Sequence, residues 1–277
     1  MKISTALQFS VTALKNAGVE SAALDAKILI EQATGKTRAQ IIAHDDYVLS
    51  AAENVRFEEL IAQRVRRIPV SQILGKKEFY GRDFVVDGNV LTPRPETELM
   101  IDAAKELFST QNTFNILDLG TGSGCILLTL LQEFPHANGV GVDISKKAIA
   151  IAQQNSYNLK VESAEFICSD WLETVKIGTY FELIVSNPPY ISLLDSDKLD
   201  KELNFEPNMA LFADDNGLGC YKKIAESINK VNFKYLILEI GQNQENEVIE
   251  IFKQQNIRFL RQYKDLSGII RTLTFTN

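Results

Sequence analysis

From residue 114 onward, short apolar runs alternate with stretches of helical periodicity, and this alternation narrows the possible folds more than any other feature of the chain. Candidate strands lie at 114–119, 139–143, 165–168, 183–186, 235–240, 257–261 and 269–275, with helical stretches between most of them. A chain that keeps returning to strand after a helix builds a mostly parallel sheet covered on both faces. The expectation is an α/β fold.

Upstream the pattern differs. Ala6, Leu7, Phe9, Val11, Ala13 and Leu14 suit a short buried helix, and Leu24, Ile28, Leu29 and Ala33 a second one stopped by Gly35. Ser50-Ala-Ala-Glu53 is a capping-box pattern that opens a third, carried on by Val55, Leu60, Ile61 and Val65. Residues 1–75 therefore read as a small helical domain, which suits the two domains expected of 277 residues. Residues 76–92 read as a β-hairpin or extended connector, with its turn at Asp87-Gly88-Asn89. The prolines of PRPETE, residues 93–98, make an extended lead into a helix over 98–108 and into the remaining domain, 93–277.

Several functional classes are excluded by raw material. His44 and His136 are the only histidines, too few for a histidine triad or a multi-histidine metal site, so no metal is expected. Cys125, Cys168 and Cys220 are widely spaced with no CxxC pair, and each reads as a small core residue. No sustained apolar region follows Lys2 and the apolar run at 125–131 is too short to cross a bilayer, so the expected setting is cytoplasmic with no membrane partner. The net charge is −7, and all of the acidic excess lies beyond residue 75. Long nucleic acid, which calls for a basic footprint, is therefore disfavoured as a partner. Arg64, Arg66 and Arg67 form the one basic cluster, most simply the solvated end of a helix.

Four segments carry chemistry, each following a candidate strand. Asp118-Leu-Gly120-Thr121-Gly122-Ser123-Gly124 has the spacing GxGxG, not the dinucleotide GxGxxG. An acid ahead of such a loop suits a cationic or amine-bearing ligand, and the spacing is that of S-adenosylmethionine sites; the alternative is a structural glycine turn. Asp143 ends the next strand, where a carboxylate can accept from both ribose hydroxyls, the alternative being a helix N-cap. Trp171, the only tryptophan, stands on the ligand side of the sheet, where it can stack on adenine or serve as a core aromatic. The sharpest segment is Asn187-Pro188-Pro189-Tyr190. Consecutive prolines hold the backbone extended and leave carbonyls free to accept. The Asn187 side-chain oxygen and the Pro188 carbonyl can hold both hydrogens of a planar NH2 group, with Tyr190 against its flat face. Orientation toward an activated methyl group then supplies most of the catalysis.

The set GTGSG, GVDIS, SDW and NPPY, with PRPETE at 93–98 and FEPNMAL at 205–211, resembles the PrmC/HemK family of protein-(glutamine-N5) methyltransferases over the whole chain. The resemblance implies a helical substrate-recognition domain, a hairpin connector and a seven-stranded Rossmann-like class I methyltransferase domain. It implies methyl transfer from S-adenosylmethionine, leaving S-adenosylhomocysteine, to the glutamine of the GGQ loop of bacterial class-1 peptide chain release factors. Gly120, Thr121, Gly122, Ser123 and Gly124 would line the methionyl moiety, Asp143 the ribose and Trp171 the adenine. Asn187, Pro188, Pro189 and Tyr190 would hold the substrate amide, with Asn187 also close to the cofactor and with Asn187, Pro188 and Tyr190 as the catalytic set. For Glu96 and Glu98 the family implies a loop closing over the cofactor, and a helix-start acid pair is the alternative. Gly241-Gln-Asn-Gln244 departs from the family, which often has an aromatic residue after the glycine, and reads as peripheral. The alternatives are glutamine methylation of a ribosomal protein, N6-adenine methylation of nucleic acid, and a non-catalytic binding module. A monomer is the default for this architecture.

Overall fold

The computed structural model describes residues 1–198 and 200–277. The chain divides into two compact units, residues 1–75 with 200–205, and residues 76–199 with 206–277.

The first unit is helical: α1 (Ile3–Asn16), α2 (Ala22–Thr34), α3 (Arg38–Ala43), α4 (Ala51–Val65) and α5 (Val70–Leu74). Ile3, Leu14, Leu29, Ile30 and Phe57 fill its core. The predicted capping box opens α4: Ser50 Oγ accepts from the Glu53 amide at 3.3 Å and Glu53 Oε2 accepts from the Ser50 amide at 2.7 Å. Ser50→Ala is expected to cost about 1 kcal/mol, read as a lower urea midpoint for this unit, and an unmoved midpoint would rule out the cap as a stabilising element. A second box, Thr37 with Gln40, starts the short α3, which periodicity over six residues could not reveal.

The arginine cluster is not a solvated helix end. Arg64 is buried and its guanidinium bonds Asp25 at 2.7 Å and Glu202 at 2.8 Å, while Arg67 bonds Glu202 at 2.5 Å; only Arg66 is exposed. Glu202 belongs to the 200–205 return segment, more than 130 residues away along the chain, so no local pattern could signal the pairing.

The second unit begins with a hairpin, β1 (Lys76–Phe79) and β2 (Arg82–Val85), whose turn is Tyr80-Gly81 and not Asp87-Gly88-Asn89. Tyr80 and Gly81 both have positive φ, 50° and 75°, as a two-residue turn between twisted strands requires. The more obvious Asp-Gly pair makes a separate turn, in which Asp87 Oδ1 accepts from the Asn89 amide. There follow α6 (Glu98–Leu107), β3 (Asn115–Leu119), α7 (Cys125–Glu133), β4 (Asn138–Asp143), α8 (Lys146–Leu159), β5 (Ala164–Cys168), β6 (Tyr180–Ser186), β7 (Ile191–Ser192), α9 (Asn208–Leu211), β8 (Phe212–Ala213), α10 (Gly219–Ser227), β9 (Asn232–Glu239), α11 (Glu245–Lys253), β10 (Arg258–Lys264) and β11 (Ile270–Thr276).

Seven of these strands form one sheet in the order β10-β11-β9-β6-β3-β4-β5, and they correspond to the seven strands read from the sequence. All pairings from β9 to β5 are parallel, and β11 runs antiparallel to both β9 and β10. Successive residues of the central strands enter opposite cores: Ile116, Leu183, Val185 and Ile237 pack with α6 and α7, while Leu117, Ile184, Leu236 and Leu238 pack with α10 and α11. A strand buried on both faces reads as a continuous apolar run, which is why these were visible in the sequence. The order reverses between β3 and β6, so their carboxyl ends open a crevice, the usual ligand position in such sheets.

Candidate active site

The carboxyl ends of β3, β4, β5 and β6 open on a cavity of about 330 Å³. Gly120, Thr121, Gly122, Ser123, Asp143, Trp171, Asn187 and Pro189 line it. Gly124, Pro188 and Tyr190 are not among the lining residues. Gly124, with φ 78°, instead starts α7 where a Cβ would stand 3.1 Å from Leu128 and 3.3 Å from the Ala152 Cβ, so it lets α8 pack close to the loop.

The glycine loop is held from three sides. The Gly120 and Thr121 amides donate to the Val142 carbonyl at 2.9 Å, and Asn155, fully buried on α8, donates to the Ser123 carbonyl at 2.9 Å. Asp143 Oδ2 accepts from the Gly122 amide at 2.9 Å and its Oδ1 from the Ser145 amide at 2.8 Å. The N-cap of α8 is Ser145, so Asp143 is not spent on that task. Burial pushes the Asp143 carboxyl up, against the pull of those two amides. Asp118 is different: it is fully buried, takes the Thr121 hydroxyl hydrogen at 2.7 Å and does not line the cavity. Burial pushes it up to about 7. The acid ahead of the loop thus bonds Thr121 behind the cavity lining.

Asn187 Nδ2 donates to Thr97 Oγ1 at 3.3 Å, and Asn187 Oδ1 is buried with no hydrogen-bond partner among the described residues. An unpaired buried acceptor is costly, and Asn187 is among the residues that line the cavity. Tyr190 sits behind, its hydroxyl 3.3 Å from Glu239 Oε1 at the end of β9. Burial raises the Tyr190 pKa, and the nearby Glu239 carboxylate adds to that.

Several contributors escaped the sequence reading. Gln244 is not peripheral: its Nε2 donates to the Tyr190 carbonyl at 3.1 Å, and its Oε1 accepts from the Gly241 amide at 3.0 Å. Gly217, with φ 89°, passes so close that a Cβ would lie 2.2 Å from that same carbonyl. Glu98 accepts from the Tyr80 amide at 2.7 Å, which ties the hairpin turn to the start of α6 and gives this acid a part beyond the helix dipole. Arg94 and Glu206, from PRPETE and FEPNMAL, form an ion pair at 2.7 Å with Glu206 buried, and Arg94 and Pro207 line the cavity. Glu239 could have been found: a carboxylate ending an apolar parallel strand is itself a signal. Of the cysteines only Cys125 is core; Cys168 is exposed and the partly buried Cys220 lines the cavity.

This architecture is that of a class I methyltransferase. The solved methyltransferase of Pyrococcus furiosus shares the fold at TM-score 0.54 and 16% identity, over 78% of this chain and 98% of that one. Residues 5–75 match the PrmC N-terminal domain, and residues 97–204 the methyltransferase small domain. The chain is 39% identical over 259 residues to the release factor glutamine methyltransferase of Caulobacter vibrioides, covering 92% of this chain and 89% of that one. It is 37% identical over 278 residues to that of Koribacter versatilis, covering 99% and 98%. The chain belongs to the release factor glutamine methyltransferase family and is an enzyme of that class.

Proposed function

We propose that the protein transfers a methyl group from S-adenosylmethionine to the side-chain amide nitrogen, N5, of the glutamine in the GGQ loop of bacterial class-1 release factors. The observation that carries this reading is the Asn187 amide, whose Nδ2 is engaged by Thr97 while Oδ1 stays unpaired. A planar NH2 group is the donor that such an acceptor suits.

The residues present fit the cofactor. Asp143 has both oxygens anchored by one backbone amide each, which leaves lone pairs for ribose hydroxyls. Trp171 lines the cavity with an indole whose flat area suits an adenine, and Gly120 to Ser123 line it as well. Bound S-adenosylmethionine supplies the activated methyl group and leaves as S-adenosylhomocysteine. Asn187 Oδ1 accepts one hydrogen of the substrate amide, and the Pro188 carbonyl is assigned the other. Tyr190 is assigned to the flat face. An amide nitrogen is a poor nucleophile, so holding it in line matters most, worth about 7–11 kcal/mol in well-oriented systems. Acceptors on its hydrogens also favour the positive charge that grows on nitrogen during transfer, and as the N–C bond forms and the S–C bond breaks the nitrogen gives up one proton, which passes to water. The helical unit is assigned to gripping the release factor, the setting to the cytoplasm and the working form to a monomer. No helix among the described residues is long and apolar enough to cross a membrane.

The test offers labelled S-adenosylmethionine with a release factor and with its GGQ→GGA variant. Label on the first alone is expected. Equal label on both, or label only on ribosomal protein or on adenine, overturns the assignment.

A further inference from the structure

Pro188 and Pro189 have no N–H, so the stretch 187–190 lacks two of the backbone donors that would ordinarily anchor it. Its position is fixed from outside, at both ends. Upstream, the buried Ser186 of β6 donates its hydroxyl hydrogen to the Leu119 carbonyl at 2.7 Å, immediately ahead of the glycine loop. Downstream, the Tyr190 carbonyl accepts from Gln244 Nε2 at 3.1 Å.

We propose that Gln244 is a positioning residue that clasps the Tyr190 carbonyl and so holds Asn187 and the Pro188 carbonyl in place for the reacting amide, a proposal that rests on the methyltransferase reading of this site. The orientation of the Gln244 amide is set by backbone groups that can each act in only one way. The Gly241 N–H can only donate, and it donates to Oε1 at 3.0 Å. The Tyr190 carbonyl can only accept, so Nε2 is the atom that faces it. Gln244 stands at the N-cap position of α11, where a short polar side chain would ordinarily bond the first helix amides, yet its side chain makes no cap hydrogen bond. Ordering a long side chain costs entropy, and here the helix gains nothing in return. The segment 187–190 is what the clasp serves.

Two buried glycines close the clasp in. A Cβ at Gly217 would lie 2.2 Å from the Tyr190 carbonyl oxygen and 2.8 Å from Gln244 Nε2. A Cβ at Gly241 would lie 2.7 Å from Gln244 Oε1 and 3.1 Å from Tyr190 Cδ2. The carbonyl and the amide therefore have little room to shift. Directly beyond Tyr190 the chain enters β7, whose Ile191 and Ser192 pair with Phe212 and Ala213 of β8. The stretch that supplies Gln244 begins at Glu239, whose Oε1 accepts from the Tyr190 hydroxyl at 3.3 Å. Tyr190 is thus held at its carbonyl and its hydroxyl by the single stretch 239–244, with its ring edge against Gly241. Gln244 is not among the cavity-lining residues, so its loss leaves the groups of the cavity wall present and only their placement altered.

The test compares Gln244→Ala, which removes the clasp, with Gln244→Glu, which keeps its shape. An ionised carboxylate sets a second acceptor against the Tyr190 carbonyl, whereas a protonated one regains a donor while its other oxygen still accepts from Gly241. Burial against that carbonyl favours the protonated form below neutrality. The titratable and charged groups around Tyr190 are Glu239 on β9 and Tyr221 on α10, with Arg271 on β11 and Arg94 of the PRPETE loop acting from further off. All of them are common to the three proteins, so rates are compared as ratios to the wild type at each pH. Labelled transfer to the release factor, cofactor affinity and the carbonyl NMR signal of Tyr190 are measured on the full chain. Expected is a kcat for Gln244→Ala lower by ~10- to 100-fold, the scale of a misplacement of about 1 Å, with cofactor Kd within about twofold. At pH 8 Gln244→Glu is as slow as Gln244→Ala, and its ratio to the wild type climbs several-fold toward pH 6 while that of Gln244→Ala stays level. A side chain that mattered only to stability would give no such recovery in acid. Wild-type kcat in Gln244→Ala, a Gln244→Glu enzyme as slow at pH 6 as Gln244→Ala, or a Tyr190 carbonyl signal unmoved by Gln244→Ala overturns the proposal. Absence of wild-type transfer would strike the substrate assignment instead, and the carbonyl signal would still decide the clasp.

Discussion

Asn187→Ala is expected to lower kcat by about 10²–10³-fold while leaving S-adenosylmethionine affinity within a few-fold, because the lost group acts on the reacting amide. Asn187 lines the cavity, but the groups best placed for the cofactor are the glycine loop, Asp143 and Trp171, none of which bonds to it. On the proposed assignment, removing its side chain takes away an acceptor for the substrate and leaves the cofactor's contacts standing. The fold gives up the 3.3 Å hydrogen bond from Asn187 Nδ2 to Thr97 Oγ1, a small loss. Single-turnover transfer and a cofactor titration on the same preparation separate the two effects. A full-rate Asn187→Ala enzyme would sink the proposed mechanism; a variant that fails to bind the cofactor would place Asn187 with the other ligand. Asn187→Asp, nearly isosteric, provides the control for folding.

How far the sequence could show this site follows from the range of the interactions. The glycine loop, Asp143, Trp171 and NPPY each follow a strand, and the strands were readable because both faces of the sheet are buried and their apolar runs unbroken. Once a parallel sheet was inferred, the carboxyl ends had to converge, and these segments with them. What orients the chemistry was not readable. Thr97 meets Asn187 across 90 residues, and Tyr190 meets Glu239 across 49; neither pairing has a local signature. The same holds for Arg64 with Glu202, which buries one arginine of a cluster that reads as solvated. The hairpin turn misled for another reason. Tyr80-Gly81 requires a tyrosine at positive φ, an uncommon choice, while Asp87-Gly88 offered the commoner signal two residues beyond the second strand.

Stability is expected to fall as pH rises from 5.5 to 8, in the opposite sense to a protein governed by paired surface carboxylates. Asp118 and Glu239 are both buried and both pushed up to about 7, from ordinary values of 3.8 and 4.5. Between the unfolded and folded values the native chain holds protons that the unfolded chain has released, so each step up in pH favours unfolding. Each group forfeits on the order of 3–4 kcal/mol across its whole window, at about 1.4 kcal/mol per unit, and the loss levels off above pH 7. Glu133 and Glu202, lowered by their cationic partners, work the other way, but their contribution is already complete above the unfolded carboxylate range and is lost only in acid. The stability maximum therefore lies near pH 5. Urea unfolding at pH 5.5, 6.5 and 8 reads the slope directly. Asp118→Asn keeps an acceptor for the Thr121 hydroxyl and removes the charge, so it should abolish about half of the decline, whatever it does to stability at pH 5.5. A variant with the wild-type slope would show that Asp118 enters the folded state already ionised, and the buried acid ahead of the glycine loop would then need a cation that none of the described residues supplies.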